Sequence, residues 1–178
     1  MSDLLPAGEV FLRLGFFLGI FAGMTVWELA LPRRPISLPR RVRWPANLGI
    51  LALNTVLLRL VFPMAATSLA LLATSRGWGL LNNLPRTGVP GTGVAIVFSV
   101  ILLDLAIYLQ HVMFHAVPAL WRLHRMHHTD VDFDVSTGGR FHPVEILLSM
   151  VIKMGLVAAI GPPAAGVVIF EIVLNGTS

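Results

Sequence analysis

The chain has 178 residues, of which 56% are hydrophobic and 12% charged, with a net charge of +4 and no cysteine. Its mean hydropathy of +0.80 is far above that of a soluble domain, so the composition indicates a membrane protein. The lack of cysteine excludes disulfides, thiolate metal ligands and a cysteine nucleophile. Any metal ion must be held by imidazole and carboxylate groups, which favours iron, manganese, copper or zinc.

Basic residues are concentrated in one short segment, which contains Arg33, Arg34, Arg40, Arg41 and Arg43. No nucleic-acid-binding module accompanies them, so we do not expect a nucleic acid partner. A basic loop between two apolar segments is typical of the cytoplasmic side of a membrane protein. We therefore predict a cytoplasmic loop that contacts anionic lipid headgroups.

Three apolar segments are each long enough to cross a bilayer, and the third contains the first two histidines: residues 10–31, 47–73 and 94–117. The first lacks the basic start of a signal peptide, so we predict a retained transmembrane helix. In the second, Arg59 is expected to face the bundle or to snorkel, and Pro63 to kink the helix. Glycine, proline and asparagine in residues 74–93 predict a loop.

A last apolar region, residues 143–174, is interrupted by Gly161-Pro162-Pro163 and is predicted to form two half-length helices in a hairpin. Counting crossings from the arginine-rich loop places the histidine end of the third span in the cytoplasm. The sequence thus predicts an all-α, multi-pass membrane protein with one domain over residues 1–178. Its cytosolic part is a short histidine-rich helical segment.

Four polar residues of the third span fall on one narrow helical stripe: Asp104, Tyr108, His111 and His115. His111 and His115 are four residues apart, so both imidazoles can bind one ion. Asp104 and Tyr108 lie deeper in the membrane on the same face, where they can hydrogen-bond a ligand ring or a lipid headgroup.

A second histidine group, His124, His127 and His128, also shares one helical face. We predict that these three and the pair on the third span are metal ligands. A solvated face or a pH-sensing cluster remains an alternative. The zinc-peptidase signature HExxH is missing, which argues against zinc hydrolysis.

The residues that follow are less specific. Asp130, Asp132 and Asp134 lack the glycine and glutamate of a calcium-binding loop and are predicted to be solvated, although one of them can support a histidine by a hydrogen bond. Pro143 suits the first turn of a helix, and Glu145 suits its positive end. For His142, a hydrogen-bonding role is favoured over that of a sixth ligand.

At these residues the chain closely resembles the sterol desaturase/fatty acid hydroxylase superfamily of integral membrane non-haem diiron oxygenases. The matching elements are the stripe of the third span, then Trp121, Arg122 and the three histidines after them, then the Asp132 to Glu145 stretch around Arg140-Phe141-His142-Pro143. The likeness is best from about residue 93 to the end. We therefore expect N-terminal spans and a loop in residues 1–92 and a partial hydroxylase-like region in residues 93–178.

The resemblance implies two iron ions held by several histidine boxes, and reductive activation of dioxygen at a C–H bond of a lipid. It also implies a lipid substrate and a separate electron-donor protein, since no cytochrome b5-like segment is fused. The superfamily carries a later HxxHH box, whereas this chain has no histidine after His142. We therefore expect a chain truncated at its C-terminus.

Two functions remain open at this point. The first is O2-dependent hydroxylation or desaturation of a fatty acyl, sterol or related lipid. The second is that of a catalytically inactive, truncated membrane protein that binds metal or remains as a scaffold. A metal transporter is disfavoured because the histidines cluster at one face of the membrane instead of along a path through it.

Overall fold

The computed structural model describes residues 4–84 and 91–177, and within these ranges helices joined by loops make up the chain, without a β-strand. The α-helices are α1 (Leu4–Ala30), α2 (Arg40–Val61), α3 (Ala66–Arg76), α4 (Thr92–Ala116), α5 (Pro118–His124), α6 (Pro143–Ile160) and α7 (Ala164–Thr177). Four segments are long and apolar enough to cross a membrane: residues 11–30, 40–83, 92–116 and 143–160. The predicted all-α, multi-pass membrane fold is confirmed.

The second predicted span is two helices instead of one kinked helix. Helix α2 ends at Val61 and α3 begins at Ala66. Pro63 lies between them, and its missing N–H and its ring prevent the helical hydrogen-bonding pattern from continuing through this point. Arg59 is exposed near the end of α2, so its side chain does not face the bundle.

The predicted break at residues 161–163 is confirmed, but α6 has 18 residues and is long enough to cross a membrane, so the expectation of a half-length helix is wrong for α6. Gly161 ends α6 in the left-handed conformation, with φ of 66°, and its N–H bonds to the carbonyl of Val157. Two prolines then exclude further helix before α7 turns back. Across the resulting pair of helices, Lys153 Nζ of α6 donates to Glu171 Oε1 of α7 at 2.5 Å.

Glu171 is also bound by a third helix. Arg13 of α1 donates one guanidinium nitrogen to Glu171 Oε2 and the other to Thr67 Oγ1 of α3, at 2.6 Å for the second bond. Three helices therefore meet at one carboxylate that is only 4% exposed, and the bond from Arg13 to Thr67 joins α3 to the same group. We refer to Arg13, Thr67, Lys153 and Glu171 as the ionic cluster.

The apolar core lies beside the ionic cluster and joins α3, α4, α6 and α7. Its buried members are Ala66, Ala70, Leu103, Val157, Val167 and Phe170. The two alanines of α3 are small, and small residues allow membrane helices to approach closely. This packing fixes α4 and α6, the two long helices that carry part of the candidate site.

A tight backbone approach joins the loop after α3 to the end of α6. The N–H of Leu80 bonds to the carbonyl of Ala159 at 2.9 Å, and Gly79 beside it has φ of 88°. A Cβ on Gly79 would lie 2.3 Å from the backbone nitrogen of Gly161, whereas a Cβ on Gly77, with φ of 68°, would meet nothing within 4 Å.

We expect Gly77→Ala to cost about 1–2 kcal/mol for the left-handed backbone alone. Gly79→Ala should cost clearly more, because its methyl group also collides with rigid backbone. Thermal unfolding of both variants in one detergent measures the difference. Equal melting temperatures would contradict the close approach of these two segments.

Candidate metal centre

A chain reversal brings the two histidine groups together. Helix α4 ends at Ala116, and after Val117 the ring of Pro118 begins α5 at the position that favours proline. The short helix α5 runs back against the end of α4, so that His124 contacts Phe114, with ring centroids 5.7 Å apart. Residues from about 9 to 17 positions apart in sequence thereby become neighbours.

Four imidazoles converge at this point: His111, His115, His124 and His128, each with one ring nitrogen within 4.8 Å of the others. The Nε2 atoms of His111 and His115 are 3.1 Å apart, and those of His124 and His128 are 3.2 Å apart. Two imidazole nitrogens that bind one ion at about 2.1 Å, about 90° to 110° apart, are separated by about 3.0 to 3.4 Å. The donor set and its spacing therefore fit a metal ion.

Glu145 contacts one of the four rings, that of His124, at the ring nitrogen that does not face His128. His124 Nδ1 lies 2.6 Å from Glu145 Oε1, and both side chains are buried. With its proton on Nδ1 and donated to the carboxylate, His124 presents the lone pair of Nε2 to the other histidines. The remaining three rings of the cluster are exposed, so His124 is its fixed member.

The protonation state of the histidines that follow α4 also favours metal binding. Burial, followed by the nearby rings of His128 and His115, lowers the pKa of His124 to about 4. Burial and its histidine neighbours likewise lower the pKa of His127 to about 4, and burial and His115 lower the pKa of His128. These rings are therefore neutral near pH 7, which is the form that binds metals.

His127 lies beside the cluster but does not join the four converging nitrogens. Its ring stacks on Phe141, with centroids 4.6 Å apart and planes 4° from parallel. Its Nδ1 atom is buried and has no hydrogen-bond partner among the residues that the structure describes. The structure thus brings together four of the five predicted ligands and leaves His127 adjacent.

The other three predicted site residues lie apart from the four nitrogens. Asp104 and Tyr108 are exposed on α4, seven and three residues before His111. His142 caps α6, because its Nδ1 accepts the backbone N–H of Val144 at 3.1 Å.

The aspartate-rich stretch is not solvated, and the prediction that it would be is wrong. Arg43 of α2 donates to both oxygens of Asp130 at 3.0 Å and to Asp134 Oδ2 at 2.5 Å. It also donates to the backbone carbonyl of Asp132. The Asp132 carboxylate accepts the N–H groups of Ser37 and Leu38. The expected lipid contact of the arginine-rich loop is therefore wrong for Arg43, which is 6% exposed and bound to these acids.

Further bonds attach the same stretch to α2. Asn47 donates to Asp130 Oδ2 at 2.8 Å and to Ser136 Oγ at 2.9 Å, and it accepts from Arg140 at 3.1 Å. Arg140 in turn donates to the carbonyl of Met126 at 3.2 Å, next to His127. We refer to Arg43, Asn47, Asp130, Asp132, Asp134 and Arg140 as the polar clamp.

The pKa values of the clamp carboxylates reflect this arrangement. Burial alone would raise the pKa of Asp134, but hydrogen bonds from Ser136, Trp44 and Arg43 outweigh it and lower the pKa below its usual value. The pKa of Asp130 is lowered in the same way by Asn47, Thr137 and Arg43, against the effect of burial. Both acids are therefore ionised at neutral pH, and their two negative charges are offset by Arg43 and, at Asp134, also by Arg40 at 3.9 Å.

Two residues of this region were not identified as functional from the sequence. Glu145 was explained by its position at the start of α6, and only the fold shows that its side chain meets a histidine 21 residues earlier. Arg43 was one of five clustered arginines, and nothing in the sequence distinguishes it from the others. Contacts between residues so far apart along the chain produce no periodic pattern in the sequence from which they could be predicted.

The fold and the histidine cluster define a multi-pass helical membrane protein with a site that can bind a metal ion. A model of the fatty acid hydroxylase family matches residues 96–177, the region that extends from α4 to α7 and contains all six histidines. Residues 96–177 therefore form a fatty acid hydroxylase domain, which belongs to the sterol desaturase/fatty acid hydroxylase superfamily; this family is generally metal-dependent and indicates an oxidoreductase. No curated protein and no solved structure matches the chain.

Proposed function

We propose that the protein is a membrane-bound diiron oxygenase of lipid metabolism, which uses dioxygen to hydroxylate or desaturate a C–H bond of a fatty acyl, sterol or related lipid. The observation that carries the proposal is the convergence of four imidazole nitrogens at a membrane face, within the part of the chain that matches the fatty acid hydroxylase family. Nitrogen donors without thiolate suit iron, which would supply the redox chemistry with dioxygen.

The chain's own residues have separable roles in this proposal. His124 and Glu145 hold one ligand nitrogen in a fixed position, while His111, His115 and His128 close the site from its exposed side. Below them, the exposed stripe of α4 continues to Tyr108 and Asp104. A lipid entering from the bilayer would lie along this stripe, next to exposed Leu105 and Leu109, with its reacting carbon near the histidines.

The direction of the site in the membrane is part of the proposal. The polar clamp bonds the arginine-rich segment to the segment after the histidines, which supports the placement of both on one face of the membrane. The positive-inside rule makes that face cytoplasmic. Reducing equivalents would then reach the site from a separate cytoplasmic or membrane-bound electron-donor protein.

A second candidate function is a membrane protein that binds one metal ion without turnover. It is favoured by the number of converging donors, since four nitrogens suffice for one ion and His127 does not point into the same group. The two candidates differ in metal stoichiometry and in oxygen-dependent chemistry.

The proposal is tested by the iron content and activity of the full chain in lipid nanodiscs. We expect bound iron, and oxidised lipid that appears only with dioxygen and a reductant, detected by mass spectrometry. Oxygen from labelled dioxygen in the product would identify hydroxylation, whereas a loss of two hydrogens without the label would identify desaturation. One ion per chain without any turnover would instead support the second candidate.

Removing a cluster histidine should remove the metal. We expect His124→Ala to lower bound iron by about tenfold or more, because it deletes the fixed ligand. His142→Asn is the matched control, since asparagine can also cap α6 and His142 lies outside the cluster. Elemental analysis of both proteins decides the matter, and equal iron in the two variants would contradict the assignment of the site.

A further inference from the structure

We infer that Glu145 is a positioning residue of the metal centre, which fixes the tautomer and orientation of His124 and strengthens its Nε2 as a ligand. The inference rests on the metal ion of the proposed function. It concerns a carboxylate whose position in the sequence suggests only a favourable charge near the start of a helix.

The geometry of the pair leaves His124 little freedom. Glu145 Oε1 and His124 Nδ1 are 2.6 Å apart, and the exposed fractions of the two residues are 4% and 1%. Phe114 and Phe141 lie on either side of the histidine, with ring centroids at 5.7 and 6.4 Å. A flip of the ring would break a buried hydrogen bond and leave the carboxylate facing a carbon atom.

Capping of α6 accounts for only part of the role of Glu145, whose carboxylate also interacts with the backbone N–H of His142, the residue before the helix. The helix begins at Pro143, and the first free N–H, that of Val144, is already bound by His142 Nδ1. Position three of the helix nevertheless suits a negative charge, because the helix dipole is positive at this end. The helix start therefore stabilises the carboxylate, and the carboxylate orients the histidine.

The other three histidines of the cluster differ from His124 in burial. His111, His115 and His128 are exposed, and in the described part of the chain the His124–Glu145 contact is the one hydrogen bond between a histidine and a carboxylate. An imidazole that donates its second N–H to a carboxylate is a stronger ligand, and losing such a partner typically weakens metal binding about 10- to 100-fold. Metal affinity should therefore depend on Glu145 although it is not itself a ligand.

The test is a titration of the metal-free full chain in nanodiscs with Co²⁺. The chain has no cysteine, so the visible absorption of bound Co²⁺ reports on imidazole and carboxylate ligands without thiolate bands. We expect Glu145→Ala to weaken Co²⁺ binding about 10- to 100-fold and to change the spectrum. Glu145→Gln keeps the volume and an acceptor oxygen but loses the charge, and should weaken binding about three- to tenfold.

A second readout does not depend on metal. In the metal-free protein, ¹⁵N NMR of the imidazole rings should show His124 with its proton on Nδ1, and the same tautomer in Glu145→Gln. Glu145→Ala should give a mixture of tautomers. The matched control is Glu171→Gln, which changes a buried glutamate of α7 in the ionic cluster, and this variant should keep both the tautomer and the Co²⁺ spectrum of the wild type.

The outcomes separate the two claims. If the wild-type chain binds no Co²⁺, the proposed metal-dependent function fails. If the wild type binds Co²⁺ and both Glu145 variants bind it within twofold of the wild type, the inference about Glu145 is overturned. Should Glu145→Ala fail to fold, as judged by circular dichroism, Glu145→Gln alone decides between these results.

Discussion

Arg43→Ala is expected to destabilise the protein by about 3–5 kcal/mol. The substitution leaves Asp130 and Asp134 without the cation between them, and these side chains are 1% and 6% exposed. Unpaired charges that are buried to this degree cannot be compensated by water. Chemical unfolding in detergent, followed by circular dichroism, measures the loss.

Arg43→Lys and Arg41→Ala make the origin of this effect testable. Lysine keeps the charge but has one ammonium group, which cannot reach both carboxylates and the carbonyl of Asp132 together, so we expect a loss of about 1–2 kcal/mol. Arg41 is exposed two residues away, and its removal should change stability by less than about 0.5 kcal/mol. If Arg43→Ala behaved like Arg41→Ala, the polar clamp would not exist in solution.

The same variant should also impair the metal centre. The clamp holds the segment that directly follows His128, and Arg140 holds the carbonyl of Met126 on the other side of His127. We therefore expect Arg43→Ala to lower metal content even at temperatures where the helices remain folded.

Glu171→Ala is expected to have a comparable effect on stability, about 3–5 kcal/mol, but from inside the bundle. It removes the carboxylate that accepts from both Arg13 and Lys153, and it leaves these two cations in an apolar environment within membrane-spanning helices. Helices α1 and α6 would each lose the ion pair that joins them to α7. Thermal unfolding and protease susceptibility of the purified variant report the loss.

A compensating substitution isolates the charge imbalance as the cause. We expect Glu171→Gln to be less stable than the wild type, and Glu171→Gln combined with Lys153→Met to recover part of the loss, because methionine fills similar space without a charge. A double variant less stable than the single one would show that Lys153 stabilises the bundle by contacts other than its bond to Glu171.

The sequence was most informative where a local rule applies. Hydropathy located the spans, helical spacing placed His111 and His115 on one face, and the prolines after Gly161 predicted the break between α6 and α7. The break at Pro63 was predicted only as a kink, because a proline alone does not show whether the helix resumes at once or after several residues.

The sequence was least informative where the decisive contacts are distant along the chain. Asp130, Asp132 and Asp134 look like a solvated loop until Arg43, 87 residues away from the first of them, is placed between them. Alternating carboxylates and a single arginine carry no periodic pattern that would pair them. The same holds for Glu145, which contacts His124, a residue 21 positions earlier, and not a residue of its own helix.

The polar clamp makes the domain at residues 96–177 depend on residues of α2, a helix that precedes it. Arg43 and Asn47 lie outside residues 96–177, yet they neutralise and bind acids inside that region. A fragment that begins at residue 96 would carry the acids without their counterion, and a transplant onto unrelated N-terminal helices would do the same. Selection should therefore act on the arginine and the aspartates jointly, so that among homologues a change at position 43 is accompanied by changes at positions 130 and 134.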